Sequence, residues 1–331
     1  MSVDLGKSLG KEPASQPGKG LGPDLGKKDR IDRLAALTAT GPDEAGVSLT
    51  RDAFRRLRRN PVAIFGAFLV LIFVFVAVFA PWLAPKDPKT LYLIAEVRPN
   101  NIPGSQAGFP LGVDNLGRDE LSRLILGSQQ SLLIGIVSTL MGLTAGMALG
   151  ILAGGLGGRV DTVVMRFVDI MLSIPGLLMA ITVALLLGFN PFSIMVAIAV
   201  TQIPIFARLL RGSMLAQRNS DYAVASRCLG VPASKIIFGH VLPNSVSPVI
   251  VQATLSLATA IIEAAALSFL GLGNADRSIP EWGSMLADAQ DFLTVRPELA
   301  FYPCICIVIA ALGFTLLGES LREALDPKFR R

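Results

Sequence analysis

The feature that most limits the fold of this chain is a series of long apolar runs with few or no charged side chains. The run from Val62 to Ala80 contains no charged residue. A helix needs about 20 apolar residues to cross the hydrocarbon core of a bilayer. The sequence therefore predicts an all-α polytopic membrane protein with six transmembrane helices. The other five runs lie at about 131–153, 162–187, 192–210, 246–272 and 299–318.

The composition and the distribution of charge agree with this prediction. The chain is 52% hydrophobic and 17% charged, whereas soluble domains carry about 25% charged residues. If the spans alternate in direction, most Lys and Arg residues fall on one side, in 1–61, 155–170, 208–244 and 319–331. Basic residues favour the cytoplasmic side. We therefore expect both termini and the loop 211–244 in the cytoplasm, and the basic excess indicates topology rather than nucleic-acid binding.

The first part of the chain differs from the rest. Residues 1–53 are rich in Gly, Pro, Ser and Lys and contain no aromatic side chain. Such segments bury too little apolar surface to fold, so a disordered cytoplasmic tail is expected. Gly6-Lys7-Ser8 lacks the upstream glycine of a phosphate-binding loop, which argues against an ATPase activity in this chain.

Several spans carry local patterns. A stripe of glycines at positions 142, 146, 150 and 154 lets another helix approach closely, from this chain or from another subunit. Ser173-Ile174-Pro175-Gly176 predicts a kink in the third span. Arg166 and Asp169 are three residues apart and could pair. The periodicity of 120–133 predicts an amphipathic helix that lies at the membrane surface or leads into the second span.

A polar, basic segment at 220–244 separates the fourth and fifth apolar runs. Ser220 and Asp221 are cap-type residues for a helix that runs to Leu229. Gly230 can adopt the left-handed conformation that ends such a helix. The segment is therefore expected to begin with a short, capped helix.

A second short helix is predicted in the same segment. Pro232 suits a first helical turn, and Pro243 is expected to end the helix. The two helices would form a compact helix–turn–helix loop, which suits the binding of a cytosolic partner. An ordinary surface loop is the alternative.

Catalytic and metal-binding chemistry find little support in the sequence. His240 is the single histidine, and Cys304 and Cys306 are two residues apart, so they do not face each other on a helix. No metal site, disulfide framework or enzyme active site follows. A secondary transporter remains an alternative, because spans interrupted at Pro175 and Pro204 also suit that class.

The central segment resembles the signature loop of binding-protein-dependent ABC importer permeases. That loop reads Glu-Ala-Ala, three residues, Gly, nine residues, Ile, one residue and Leu-Pro. The spacing is intact here, and the matching residues are Ala225, Gly230, Leu242 and Pro243. The departures are Val224, Ser226 and His240. The sequence His-Val-Leu-Pro-Asn at 240–244 looks like the version in dipeptide, oligopeptide and nickel importers.

Further stretches are similar to the C-type permease subunit of that subfamily. They are Arg55–Pro61, Leu111–Arg123, Ala266–Gly273, Trp282-Gly283 and Leu325–Pro327. The resemblance covers about 51–331 and implies a type I, MetI-like permease fold. It implies an N-terminal region of the oligopeptide C-type at 54–110, which holds the first transmembrane helix. A permease domain is then expected at 111–331, with a coupling loop at 211–244.

The resemblance also implies a function. The chain would be a permease subunit in the bacterial inner membrane that imports dipeptides or oligopeptides; the alternative solutes are nickel or another small molecule. Its partners would be a homologous B-type permease, one or two cytosolic ABC ATPases and an extracytoplasmic solute-binding protein. ATP and Mg²⁺ are expected on the ATPases, with no cofactor on this chain, which is not expected to be an enzyme.

Two groups of site residues follow from these expectations. The residues expected to contact the ATPase or to shape the coupling loop are Asp221, Tyr222, Ala225, Arg227, Gly230, His240, Leu242 and Pro243. Glu263 is a charged side chain within the fifth span, where ionisable groups are functional candidates. It could face the path, lock a gate or serve as a structural carboxylate. Gln202 and Gln252 could line the path or form hydrogen bonds between helices.

Overall fold

The computed structural model describes residues 54–325, so the predicted tail at 1–53 lies outside the described part of the chain. Within residues 54–325 the structure is helical and contains no β-strand. The long helices are α1 (Pro61–Leu83), α2 (Glu120–Ile151), α5 (Pro191–Arg218), α9 (Ser247–Phe269) and α11 (Glu298–Leu325). The shorter helices are α3 (Gly158–Ser173), α4 (Gly176–Leu187), α6 (Asp221–Cys228), α7 (Ala233–Ile236), α8 (Leu242–Ser245) and α10 (Trp282–Ala289).

Helices α1, α2, α5, α9 and α11 have the length and the apolar composition needed to cross a membrane. Among the described residues five helices meet this condition, and α3 with α4 supplies a sixth span if the bent pair counts as one. Polar caps and prolines fix where the spans begin. The Asn60 side chain accepts hydrogen bonds from the N–H groups of Val62 and Ala63, and Pro61 occupies the first turn of α1. Asn190 caps α5 in the same way, with Pro191 following it.

The helix at 120–133 leads directly into the second span. Asp119 caps its first turn by accepting a hydrogen bond from the Ser122 N–H, and α2 then continues unbroken to Ile151. A π-helical turn at Leu152–Leu156 extends it. The structure thus contains one continuous helix rather than a separate helix on the membrane surface.

The third span is broken rather than kinked. The axes of α3 and α4 differ by 94°. Ile174 is extended, with φ −91° and ψ 130°, because Pro175 disfavours the helical conformation of the residue before it. Pro204, by contrast, lies inside the continuous α5.

The glycine stripe of α2 packs against α5 of the same chain. A Cβ atom at Gly146 would lie 2.6 Å from Phe206 Cβ, and one at Gly150 would lie 2.9 Å from Leu210 Cβ. Contacts this close require a bare backbone. The stripe therefore brings α5 directly onto α2. Helix α5 leads into residues 220–245, which we call the coupling segment.

Asp169 does not pair with Arg166. Its carboxylate accepts from Arg208 of α5 at 2.5 Å, and Asp161 forms a bidentate pair with Arg211 at 2.7 and 2.8 Å. The partners come from α5 because α3 packs against that helix. These pairs tie the first half of the broken span to the helix that precedes the coupling segment.

Candidate functional site: the coupling segment

The first coupling helix, α6, follows α5 after only two residues. Ala223 is its one buried side chain, and it packs in an apolar cluster with Met214 of α5 and Ile236 of α7. Asp221, at the first position of α6, and Ala225 are exposed. The structure thus presents a short helix whose outer face is open and whose inner face is fixed to the end of a span.

The beginning of α6 is held in an unexpected way. Ser220 occupies the cap position, but its hydroxyl donates to the Gln217 carbonyl at 2.6 Å and makes no capping bond. The Tyr222 hydroxyl donates to the Gln217 side chain at 2.7 Å. These bonds fasten α6 to the last turn of α5.

Gly230 ends the first helix as predicted. Its φ angle is +76°, and its N–H donates to the Arg227 carbonyl at 3.0 Å. The next N–H, of Val231, donates to the Ser226 carbonyl at 3.1 Å. Only glycine enters this left-handed region without steric cost. The turn is therefore closed by the backbone and directs the chain into α7.

Pro243 does not end the second helix, contrary to the sequence-based prediction. The chain stays helical from Ala233 to Ser245 through a π-helical turn at Ile237–Val241. The side chains of the next two residues add hydrogen bonds to the preceding turn. The amide of Asn244 donates to the His240 carbonyl at 2.8 Å, and the Ser245 hydroxyl donates to the Val241 carbonyl at 2.7 Å.

Arg227 turns back toward α5 instead of outward from α6. Its Nε donates to the Ala223 carbonyl at 3.3 Å, and one terminal nitrogen donates to the Arg218 carbonyl. The side chain thus braces the junction of α5 and α6. Leu242 is half-buried against the apolar cluster below α6, while the His240 side chain is exposed.

The three candidate path residues lie within the spans, away from the coupling segment. Gln202 is buried and donates to the Ser256 carbonyl at 3.3 Å, so it links α5 to α9. Gln252 bonds the Ser256 hydroxyl of its own helix at 3.2 Å. Glu263 is half-buried and accepts from the Thr201 hydroxyl at 3.3 Å.

A buried charge cluster lies at the opposite end of α2, where sequence reasoning placed no site. Arg118 and Arg123 both contact the Asp114 carboxylate, at 2.6 and 3.3 Å, and both approach Asp288. Arg296 donates to the carbonyls of Pro103 and Leu111. The one sequence signal for this cluster is the charge-rich loop before the last apolar run. The pairs of Arg118 and Arg123 with Asp288 join residues more than 150 positions apart, which the sequence does not reveal.

Glu281 supports the same end of the bundle. It caps α10 by accepting from the N–H groups of Gly283 and Ser284 at 2.9 and 3.0 Å. Burial raises the pKa of its carboxyl above the ordinary value, and these hydrogen bonds oppose that rise. Trp282, next in the chain, donates from its indole to the Leu124 carbonyl at 3.1 Å.

The structure is a bundle of apolar spans with an exposed helical segment between two of them, and comparison with known proteins gives its class. Residues 146–331 match the family of binding-protein-dependent transport system inner membrane components, and the chain belongs to this family. Residues 48–103 match the N-terminal transmembrane domain of oligopeptide transport permease C. The protein is therefore a multi-pass inner-membrane permease, and membership implies that it works with ATPase subunits and a second permease.

Curated relatives align over most of the chain. The dipeptide transport system permease protein DppC of Alkalihalophilus pseudofirmus is 40% identical, over 86% of this chain and 91% of the relative. The di/tripeptide transport system permease protein DppC of Pseudomonas aeruginosa is 41% identical, over 88% and 96%. The glutathione transport system permease protein GsiD of Pectobacterium atrosepticum is 38% identical, over 90% and 98%.

A solved structure shares the fold. The inward-facing methionine ABC transporter MetNI contains a chain that aligns with a TM-score of 0.53 at 18% identity, over 62% of this chain and 97% of that chain. This similarity confirms the MetI-like permease fold that the sequence resemblance implies.

Proposed function

We propose that this chain is the C-type permease subunit of an ATP-driven importer of dipeptides and other short peptides. The proposal rests on the similarity to the dipeptide and di/tripeptide permeases. These two relatives are 40–41% identical to this chain over 86–88% of its length. The glutathione relative is named for a short peptide as well. A short-peptide solute is therefore the simplest common assignment.

The coupling segment would transmit movement from the ATPases. Its outer face, which includes Asp221 and Ala225, is exposed, whereas Ala223 on the inner face is buried. The Arg227 brace and the closed turn at Gly230 make the segment stiff. A stiff lever joined to α5 by two residues and to α9 through α8 would move both spans when an ATPase closes around ATP.

Glu263 would act in the path or in its gate. A carboxylate within a membrane span is expensive unless it faces partners or a polar cavity. The Thr201 hydroxyl donates a hydrogen bond to Glu263, and the glutamate side chain is only half-buried. Gln202 is better suited to holding α5 against α9 than to contact with the solute, because it is buried and bonded to Ser256.

The remaining parts of the machine would be separate chains. We expect a homologous B-type permease, one or two cytosolic ATPases that hold ATP and Mg²⁺, and an extracytoplasmic binding protein that delivers the peptide. Both termini and the coupling segment would face the cytoplasm, since basic residues concentrate in those segments. ATP hydrolysis would take place in the partner subunits.

Transport by the reconstituted complex tests this proposal. The chain and its co-purified partners are placed in proteoliposomes with their binding protein, and ATP hydrolysis is measured with a dipeptide, a longer peptide, glutathione or Ni²⁺ outside. Stimulation by dipeptide with ATP-dependent accumulation is expected. Stimulation by Ni²⁺ alone would overturn the peptide assignment, and uptake driven by an ion gradient without ATP would overturn the importer class.

A further inference from the structure

A pocket of about 420 Å³ opens beside the coupling segment. It lies between the π-helical turn that ends α2 and residues 231–241. Its walls include apolar side chains such as Leu156, Ile237 and Phe238, together with the two basic residues Arg218 and Arg227. The lining contains no acidic residue, so the pocket combines an apolar wall with uncompensated positive charge.

Both guanidinium groups are positioned by backbone carbonyls rather than by carboxylates. Arg218 donates one nitrogen to the Gly154 carbonyl at 3.0 Å, and Arg227 donates to the carbonyls of Ala223 and Arg218. Between residues 54 and 325 neither side chain forms an ion pair. A guanidinium has five N–H donors, so donors remain for an anion.

Other arginines on the same stretch of α5 behave differently. Arg208 and Arg211 each pair with an aspartate of α3, at 2.5 and 2.7 Å. Their charge is already compensated within the chain. The contrast singles out Arg218, at the end of α5, as a cation without a carboxylate partner among residues 54–325.

The apolar side chains beside these arginines are exposed. Leu156 is 64% exposed and Phe238 is 59% exposed. Both stand where the spanning helices α2 and α5 end, which is the level of the lipid headgroups in a helix of this length. A free phosphate would engage the arginines and leave this apolar surface in water, whereas a phospholipid would cover both.

We propose that this pocket binds the phosphate of an anionic phospholipid through Arg218 and Arg227, with an acyl chain lying against Leu156 and Phe238. Basic pockets beside membrane spans suit anionic headgroups. Because Arg227 also braces α6, the bound lipid would stabilise the coupling segment. The proposal does not depend on which solute the importer carries.

Lipid titration of the full chain tests the site. The chain is purified in mild detergent, and native mass spectrometry follows the binding of phosphatidylglycerol and of phosphatidylethanolamine with the same acyl chains. Phosphatidylglycerol is expected to bind at about tenfold lower concentration, a difference of about 1.4 kcal/mol. Arg218→Gln should weaken phosphatidylglycerol binding about fivefold, and Arg218→Lys should restore most of it.

A matched variant separates this site from general attraction to a basic surface. Arg159 is exposed, lies at the same end of the bundle and does not line the pocket. Arg159→Gln should leave phosphatidylglycerol binding unchanged. An equal loss in both variants, equal binding of the two lipids, or displacement of phosphatidylglycerol by inorganic phosphate at the same concentration would each overturn the proposal.

Two further measurements distinguish a lipid in this pocket from a partner protein. A photoactivatable phosphatidylglycerol added to the unaltered chain should crosslink to peptides that contain Leu156 or Phe238, and crosslinking only elsewhere would contradict the site without any substitution. In the assembled complex, Arg218→Gln should reduce lipid retention. Reduced recovery of the ATPase with unchanged lipid retention would show that the arginines serve a protein carboxylate, and the lipid site would be wrong.

Discussion

The two ends of α2 are built in opposite ways. At its beginning, Arg118 and Arg123 are 2% and 1% exposed, and their charges are met within the chain by Asp114 and Asp288. At the other end, the coupling segment (residues 220–245) exposes most of its side chains, including Leu229 at 82%. We call the first end closed, because its charges are buried and paired within the chain, and the second end open, because most of its side chains face outward.

If the segment couples to the ATPases as proposed, this difference predicts that stability and coupling are separated along the chain. A buried ion cluster is costly to break because a partner charge is left without compensation. An exposed side chain contributes little to the stability of its own chain. Substitutions in the charge cluster (Asp114, Arg118, Arg123 and Asp288) should therefore unfold the protein, whereas those on the outer face of α6 should spare the fold and impair work with partners.

Arg118→Met should produce the largest loss of stability. It leaves Asp114 buried without its closest cation, and breaking such a pair costs about 3 kcal/mol. Thermal unfolding of the full chain in detergent measures the effect. Arg277→Met is the matched control, because the Arg277 side chain is exposed and pairs with Asp288, which Arg118 also approaches, at 2.7 Å. This substitution should cost less than about 1 kcal/mol. Equal losses would show that burial of the ion pair does not set its cost.

Gly146→Ala should come next, with a loss of about 2 kcal/mol from overpacking. The added methyl group would lie 2.6 Å from Phe206 Cβ and 2.7 Å from the Ile203 carbonyl oxygen. Gly212→Ala on α5 is the control, since nothing lies within 4 Å of its added Cβ, and it should raise stability by up to about 1 kcal/mol. The same unfolding assay shows whether the two changes have opposite signs.

Gly230→Ala should cost about 1 kcal/mol locally, because an alanine at φ +76° is strained. Hydrogen exchange of the coupling segment should then rise while that of α2 is unchanged. Gly239→Ala lies in the same segment, has open space and has no positive φ, so it should leave exchange unaltered. Faster exchange throughout the chain would mean that the open end does support the fold.

Glu263→Gln should have the smallest effect on stability, within about 1 kcal/mol, because glutamine can still accept from the Thr201 hydroxyl. Uptake or basal ATP hydrolysis of the assembled complex should nevertheless change if the charge serves the path or gate. Thr201→Val serves as the companion variant, since it keeps the carboxylate and removes the Thr201 hydroxyl, which contacts Glu263 and the Ile198 carbonyl. No change of either activity in Glu263→Gln would favour a purely structural carboxylate.

Much of this fold could be predicted because the spans are signalled locally. Long apolar runs predict α1, α9 and α11, and Gly230 predicts the end of α6 from its own backbone freedom. The glycine stripe predicts a close helix contact. These features depend on residues within a few turns of each other, so periodicity and turn chemistry are sufficient to find them.

The remaining features depend on contacts that are distant in sequence. Asp169 pairs with Arg208 rather than Arg166 because α3 packs against α5. Pro243 lies inside a helix that continues to Ser245, next to a π-helical turn at Ile237–Val241 that its residue type does not signal. The charge cluster and the pocket at Arg218 likewise join segments that only the folded bundle brings together.

Recovery of ATPase subunits with the purified chain tests the central claim that the coupling segment is the docking surface. Asp221→Arg reverses a charge on the exposed outer face of α6, and Asp291→Arg reverses an exposed charge near the opposite end of α2. The account predicts that Asp221→Arg lowers the amount of ATPase that co-purifies in mild detergent about tenfold, while the unfolding temperature is unchanged. With Asp291→Arg, the amount of co-purified ATPase should equal that of the unaltered chain. Equal recovery with both variants would contradict the account.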